Sequence, residues 1–277
     1  MKMKKPLLTI LTLLLMLCFT SGCVFPGAPT QSTQAPTAAA TTVATTVAET
    51  EAVTEPSETQ PTATQPVTQP EHSALYIPDV SVEDVITYFN EVCLDSEFVN
   101  GGDPSVVQKW MIPIRYKLHG AYTQEDLAVL NSFVTWLNQL EGFPGIAEAQ
   151  PQETVNLNIH FCPGDEFPQR MGENYAGLDG GVLFWYDDNE IYDATICYRT
   201  DLEQYTRNSV ILEEIYNGLG PVQDTVLRPD SLIFQQFTVP QWMSAEDELI
   251  LKLLYHPGIL PGMDAFQCQQ VIRELYY

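Results

Sequence analysis

The folded part of this chain is predicted to be α+β, a small mixed sheet backed by helices with a helical C-terminal part. Three observations predict it. Some segments repeat apolar residues at helical spacing behind a capping residue, others alternate apolar and polar residues, and the last two periodic segments are both helical. Helices and strands intermingle without the strict alternation of a doubly wound sheet, so a small sheet with helices packed on it buries both kinds of face.

Ser81 opens the first helix, with Asp84 three residues on in a capping-box-like start. Val82, Val85, Ile86, Phe89, Val92 and Cys93 follow at helical spacing, and Gly101-Gly102-Asp103-Pro104 breaks the pattern. Residues 106–118 read as a strand around Trp110-Met111-Ile112-Pro113-Ile114-Arg115-Tyr116. Pro113 has no N–H for a ladder, which puts that strand at an edge or a bulge. Thr123 caps a helix to about Leu140, with Leu127, Leu130, Val134 and Leu137 on one face and Gly142 closing it. Residues 155–161, Val-Asn-Leu-Asn-Ile-His-Phe, alternate as a half-buried strand does. Residues 182–186 and 191–198 flank Asp187-Asp188-Asn189 and form a hairpin. Residues 208–219 form a helix stopped by Gly220-Pro221. Ser244 caps a helix to Tyr255, and Asp264 caps the last one to Tyr276.

Ahead of the folded part the composition changes twice. Met1-Lys2-Met3-Lys4-Lys5 is basic, and residues 6–19 are almost wholly apolar. That run is too short for a membrane span, which needs about 20 apolar residues, and has the length of a signal-peptide core. Thr20-Ser21-Gly22-Cys23 resembles a bacterial lipobox, although Thr20 stands where leucine is usual; the alternative is a plain signal peptide with an incidental cysteine. Residues 1–22 are thus expected to be a lipoprotein signal peptide and Cys23 its lipidation site, with a membrane as partner through the acyl chains. Residues 23–72 combine that cysteine with a Thr/Pro-rich stalk in which Ala-Pro-Thr and Thr-Gln-Pro recur, a composition too poor in apolar residues to fold. Residues 73–104 form a helical extension and 105–277 the main domain.

Net charge is −24, and losing the three signal-peptide lysines lowers it to −27. Such a field repels nucleic acid and anionic lipid headgroups, which excludes both as binding partners. Beyond Cys18 and Cys23, four cysteines remain: Cys93, Cys162, Cys197 and Cys268. An extracytoplasmic address permits disulfides. Cys162 and Cys197 both end predicted strands and are the first candidate pair; four buried thiols are the alternative. No CxxC suggests a zinc site.

The stretch that could carry chemistry is Leu212-Glu213-Glu214-Ile215-Tyr216-Asn217-Gly218-Leu219-Gly220-Pro221-Val222-Gln223-Asp224. Glu213 and Asn217 share one helix face, with Glu214 beside them. Adjacent carboxylates on a buried helix are costly unless hydrogen-bonded, protonated or bound to a cation. The stretch can be set against the metzincin motif HExxHxxGxxH, whose histidines grip zinc. Glu213, Asn217 and Gln223 occupy the three ligand places, Glu214 the general-base place, and Gly220 its glycine. The framework survives and the imidazoles do not. The strand, helix, strand and hairpin before it also have the order of a zincin N-terminal subdomain.

Glu213-Glu214-x-x-x-x-Leu219-Gly220 is followed by Pro229-Asp230-Ser231-Leu232-Ile233-Phe234, by Ser244-x-x-Asp247-x-x-x-Leu251-x-x-Leu254-Tyr255-x-Pro257, and by Pro261-Gly262-Met263. In combination these resemble domain-of-unknown-function family 2927, described mainly in bacterial lipoproteins, over about 105–277. The Lys109-Trp110 strand and the Thr123 helix fit its N-terminal part. The resemblance implies no established activity, and its link to zincin peptidases is an analogy of fold. Pro261-Gly262-Met263 would stand where a Met-turn does.

Zinc peptidase activity needs nitrogen or sulfur ligands, which those places lack. No cofactor is therefore expected; Glu213, Asn217, Gln223 and Asp224 offer oxygen alone, which would suit calcium or magnesium if a cation bound at all. Glu213 and Glu214 could instead be structural, accepting hydrogen bonds from Arg199 or Arg207. His160 reads as a satisfied strand histidine, Asp187, Asp188 and Glu190 as a hairpin turn, and the tryptophans as mostly core, with Trp185-Tyr186 on the hairpin as the exception. The leading expectation is a zincin-like domain with a degenerate metal site that binds an extracellular peptide or envelope component without catalysis. A hydrolase using Glu214 as general base and a purely structural envelope protein are the alternatives.

Overall fold

Five strands run parallel, and one antiparallel strand closes an edge of their sheet. In this computed structural model, β2 (Ile114–Gly120) lies between β3 (Ile146–Glu148) and β4 (Leu157–Cys162), β4 pairs with β6 (Glu190–Arg199), and β5 (Gly180–Asp187) runs antiparallel to β6. Residues 73–94 and 105–277 are described. The expected signal peptide, Cys23, the stalk and the Gly101–Pro104 break lie outside them.

The single strand expected over 106–118 is two pieces. β1 (Lys109–Trp110) pairs with Glu190 and Ile191 of β6, and β2 pairs with β3 and β4. Pro113, which cannot donate to a ladder, lies where the chain changes neighbours. The hairpin turns on Asp188 and Asn189, both at positive φ (50° and 67°), the conformation that two-residue hairpin loops demand.

The sheet's main face carries Ile114, Tyr116, Leu157, Ile159, Phe161, Ala194, Ile196 and Tyr198, all buried. Two helices pack against it and each other: α2 (Gln124–Leu137) and α4 (Gln204–Gly218). Burying each large apolar side chain there contributes roughly 1.5–3 kcal/mol. The buried stripe of α2 is Asp126, Leu130, Phe133 and Leu137; Leu127 and Val134, expected on the same face, are half-buried at its margins. On the opposite face, α3 (Phe167–Met171) and a 3-10 turn (Glu173–Tyr175) cover Cys162 and Cys197 with Phe167, Met171 and Tyr175.

Helix α1 (Val82–Cys93), expected as an extension, shares the main core and packs against α5 (Ala245–Tyr255) and α6 (Ala265–Tyr276). Tyr276 ties the start of the domain to its end: its hydroxyl donates to the carbonyls of Ile77 (3.1 Å) and Val80 (2.8 Å) and accepts from the Ile77 amide (3.2 Å).

Three buried polar groups lock the layers. Asp126 accepts from Thr123 N (2.7 Å), Gln204 Nε2 (2.7 Å) and Arg207 Nε (2.8 Å), pinning the start of α4 to that of α2. Asp247 accepts from Tyr88 Oη (2.5 Å), Ser231 Oγ (2.7 Å), Leu232 N (3.0 Å) and Ser244 N (3.0 Å), joining α1, α5 and the irregular segment between α4 and α5. Lys109 Nζ donates to Leu254 O (2.8 Å) and Ile259 O (2.5 Å), fastening β1 to the end of α5.

Candidate functional site

Helix α4 starts without a side-chain cap. The Asp126–Arg207 pair, with Arg207 Nη1 donating to Thr200 O (2.7 Å), does the fixing instead. The helix can then run close along β5 and β6 because glycines lie at the contact, one on the helix and one on β5. A Cβ on Gly218 would lie 3.3 Å from Ile196 Cδ1 and 3.4 Å from Val182 Cγ2. One on Gly180 would lie 2.5 Å from both Glu214 Oε1 and Val210 Cγ1. Only a glycine at the start of β5 leaves room for the Glu214 carboxyl.

That carboxyl is the unusual feature. Glu214 is 1% exposed, and neither carboxyl oxygen has a hydrogen-bond partner among the described residues. One helical turn on, Asn217 is 4% exposed and its Oδ1 also lacks a partner. Leaving a buried acceptor unsatisfied costs about 1–3 kcal/mol, and more for a charged one. Glu213, the neighbour on α4, is half-buried at the rim.

The acids around Glu214 form one electrostatic group. Burial raises the Glu214 carboxyl well above the usual range, and the Glu213 and Asp224 charges add to it. Burial raises Glu213 too, followed by Asp224 and Asp179. Asp179, just before β5, is bound to Arg199 Nη1 (3.2 Å). The negative field of Glu214 also reaches Tyr175, Cys197 and Tyr198 behind it. Asp224 is half-buried, and the turn before it is anchored by the Val222 and Gln223 amides donating to Val92 O (2.8 and 3.3 Å).

The sequence-predicted residues are therefore partly brought together. Glu213, Glu214 and Asn217 share α4, and the charge of Asp224 is felt by both glutamates; Gln223 is located by its backbone. Asp179 and Gly180 were missed, because they stand at the start of β5, distant in sequence from α4 and with no local signal linking them to it. The expected support from Arg199 or Arg207 does not reach Glu214. Arg207 is taken by Asp126 and Arg199 by Asp179 and Asp201.

The histidines stand apart. His160 stacks on His119 across β4 and β2 (ring centroids 4.4 Å), and burial, then His119 and Arg170, lower it to about 4. His256 Nδ1 accepts from Gly258 N (3.0 Å) in its own turn. Among the described residues no three His, Cys, Asp or Glu side chains are grouped so as to hold a metal ion. Burial favours the neutral form of the Glu214 carboxyl, which works against its acting as a general base.

Cys162 and Cys197, the expected disulfide pair, are both free thiols, as are Cys93 and Cys268. Cys162 faces Arg199 and Cys197 faces His160, so the two are diagonal neighbours on parallel strands with their thiols within hydrogen-bonding reach of each other. Trp110 is core, its Nε1 donating to Gly218 O (2.9 Å), whereas Trp185 and Tyr186 on β5 are half-buried.

The family model for proteins of unknown function named DUF2927 matches residues 82–274, from the first residue of α1 into α6. No curated protein and no solved structure matches. The matched span covers well over half of the chain and includes both the acidic helix and the Ser231–Asp247 lock, and the chain accordingly belongs to DUF2927.

Proposed function

We propose that this protein is a surface lipoprotein whose domain binds an extended extracellular peptide or envelope component without catalysis, in a cleft of degenerate zincin type. One observation carries the reading: a buried carboxyl and a buried amide oxygen on α4 are left without partners, at a net cost to the fold. Such strain persists where a site uses it. The zincin comparison draws support from the element order, since β2, α2, β3, β4 and the β5–β6 hairpin precede the helix carrying Glu213, Glu214 and Asn217. β5 runs antiparallel to the rest, and no second strand pairs with it among the described residues. A free sheet edge offers backbone hydrogen bonds to an extended chain, with alternate side chains read by pockets. The acidic face of α4 lies against the start of that edge strand.

Cys23 would tether the domain, and residues 24–72 would hold it away from the membrane. The test uses the mature chain with Cys23→Ser, probed against arrayed random heptapeptides and followed by hydrogen exchange. Bound peptides should stay intact over hours and slow exchange of β5 amides. Cleavage of the peptides, or a complete absence of binders, would overturn the reading.

A further inference from the structure

We propose that His119 and His160, with Lys117 beside them, form a surface site for an oxyanion, a carboxylate or phosphate group of an external ligand. It lies on the sheet face turned away from α2 and α4 and is independent of the cleft reading above. A parallel sheet usually has helices over both faces. Among the described residues this face is covered at one end, where α3 and the 3-10 turn lie over Cys162 and Cys197. Beside that cover the register sets His119 opposite His160, and Lys117 opposite Asn158, on β2 and β4. His119, His160 and Asn158 are half-buried and Lys117 is exposed, so solvent reaches all four.

The local charge runs against the rest of the chain, in which acids outnumber lysine and arginine by 36 to 12. Among the described residues the other lysines and arginines are held by carboxylates, or by backbone carbonyls at Lys109. Lys117 has no ion pair there. Burial, then the positive charges of His119 and Arg170, hold His160 down to about 4. An anion set against the two imidazoles relieves that repulsion.

The rings decide between an anion and a metal. They stack with centroids 4.4 Å apart and 14° between their planes. Zinc bonds imidazole nitrogens in the ring plane at about 2.0–2.1 Å, so one ion shared by both would have to lie in both planes at once. An oxyanion carries several acceptors and can take one N–H from each parallel ring. His119 Nε2 donates to Asn158 Oδ1 (3.0 Å), which fixes the ring and leaves Nδ1 for the anion.

Nδ1 then donates only from the imidazolium, so binding takes up a proton. The other titratable and charged groups around the pair are Lys117 on β2, Cys162 on β4, Cys197 and Arg199 on β6, and Arg170 with Glu166 on α3. Sulfate keeps its charge throughout this range, so its affinity should rise from about pH 8 to about pH 5.5, by up to about tenfold per unit.

The experiment follows the imidazole C–H signals of the mature Cys23→Ser chain by NMR, assigned with His→Gln variants, during titration with sulfate or acetate at constant ionic strength set by chloride. His119 and His160 should shift to saturation, while His256, held in its own turn, should not. Saturation by sulfate assigns a phosphate-like group and saturation by acetate a carboxylate. Lys117→Gln, an exposed change, should weaken binding about tenfold, and Lys117→Glu should abolish it. Shifts that never saturate, or that His256 shares, would mean ionic screening alone and overturn the site. Binding indifferent to pH or to Lys117→Glu would overturn it equally.

Discussion

Replacing Glu214 by glutamine should stabilise the domain in a pH-dependent way. In the fold the carboxyl sits 1% exposed with both oxygens unpartnered, and it ionises well above the ordinary value of 4.5. In the unfolded chain it ionises normally. A carboxyl whose folded pKa is raised contributes stability that is full below its unfolded pKa and is lost as pH climbs toward the folded one. Each unit of that climb costs up to about 1.4 kcal/mol at this one residue. Glutamine does not titrate and escapes the loss. Its amide brings a new buried donor, which costs about 1–3 kcal/mol at every pH. Glu213 titrates in both proteins, raised by burial, Asp224 and Asp179 in each. The slope, not the absolute difference, is therefore diagnostic. Urea unfolding followed by tryptophan fluorescence between pH 4.5 and 8 reads it directly. The variant should gain on wild type as pH rises from 4.5, by up to about 1.4 kcal/mol per pH unit, which in melting temperature is roughly 3–6 °C per unit for a domain of this size. Parallel pH curves would refute the reasoning, because they would mean that Glu214 titrates normally and has partners or water that satisfy it.

Three further outcomes follow from the locks and the anchor. Asp247→Ala strips the acceptor from Tyr88, Ser231, Leu232 and Ser244 at once and should cost about 3–5 kcal/mol or more, while Tyr88→Phe, which removes one of those donors, should cost about 1–2 kcal/mol. Equal thermal destabilisation by the two would show that Asp247 does not organise the junction. Arg207→Met leaves the fully buried Asp126 without its cation and should cost about 3–5 kcal/mol, recovered in part when Asp126→Asn is added; strictly additive losses in a double-mutant cycle would deny the pairing. Labelled palmitate should enter the wild-type chain expressed in a bacterium and not Cys23→Ser, and the unlipidated variant should leave the membrane fraction; equal labelling of both would remove the anchor.

Much of the fold is legible because its signals are local. Ser81, Thr123, Ser244 and Asp264 each accept from the amide three residues on, as the capping patterns imply. The hairpin about Asp188-Asn189 follows from residues that tolerate positive φ. What escaped depends on distant partners. β3 (Ile146–Glu148) is too short to show alternation, and its pairing with β2 is all that makes it a strand. The first turn of α4, Gln204 to Arg207, looks polar and exposed in sequence, yet Arg207 is buried because Asp126 waits for it. Ser231 and Asp247 are visible as motif residues, but only the structure makes them two ends of one hydrogen bond.

The site divides along the same line. Helical spacing alone places Glu213, Glu214 and Asn217 together, and sequence comparison with a metal-binding helix alone suggests that they replaced imidazoles. Whether two adjacent acids on a buried helix are satisfied by the protein is a question of what comes to meet them, and no spacing rule answers it. The answer lies at Gly180. A larger residue there would fill the space beside Glu214 and force the carboxyl away, so the glycine and the unpartnered acid are two halves of one arrangement. An acid that merely braced a helix would be met by Arg199 or Arg207, both within a few turns of sequence. Instead each arginine is held by another carboxylate, and the Glu214 carboxyl keeps no hydrogen-bond partner among the described residues, an energetic cost that the fold retains.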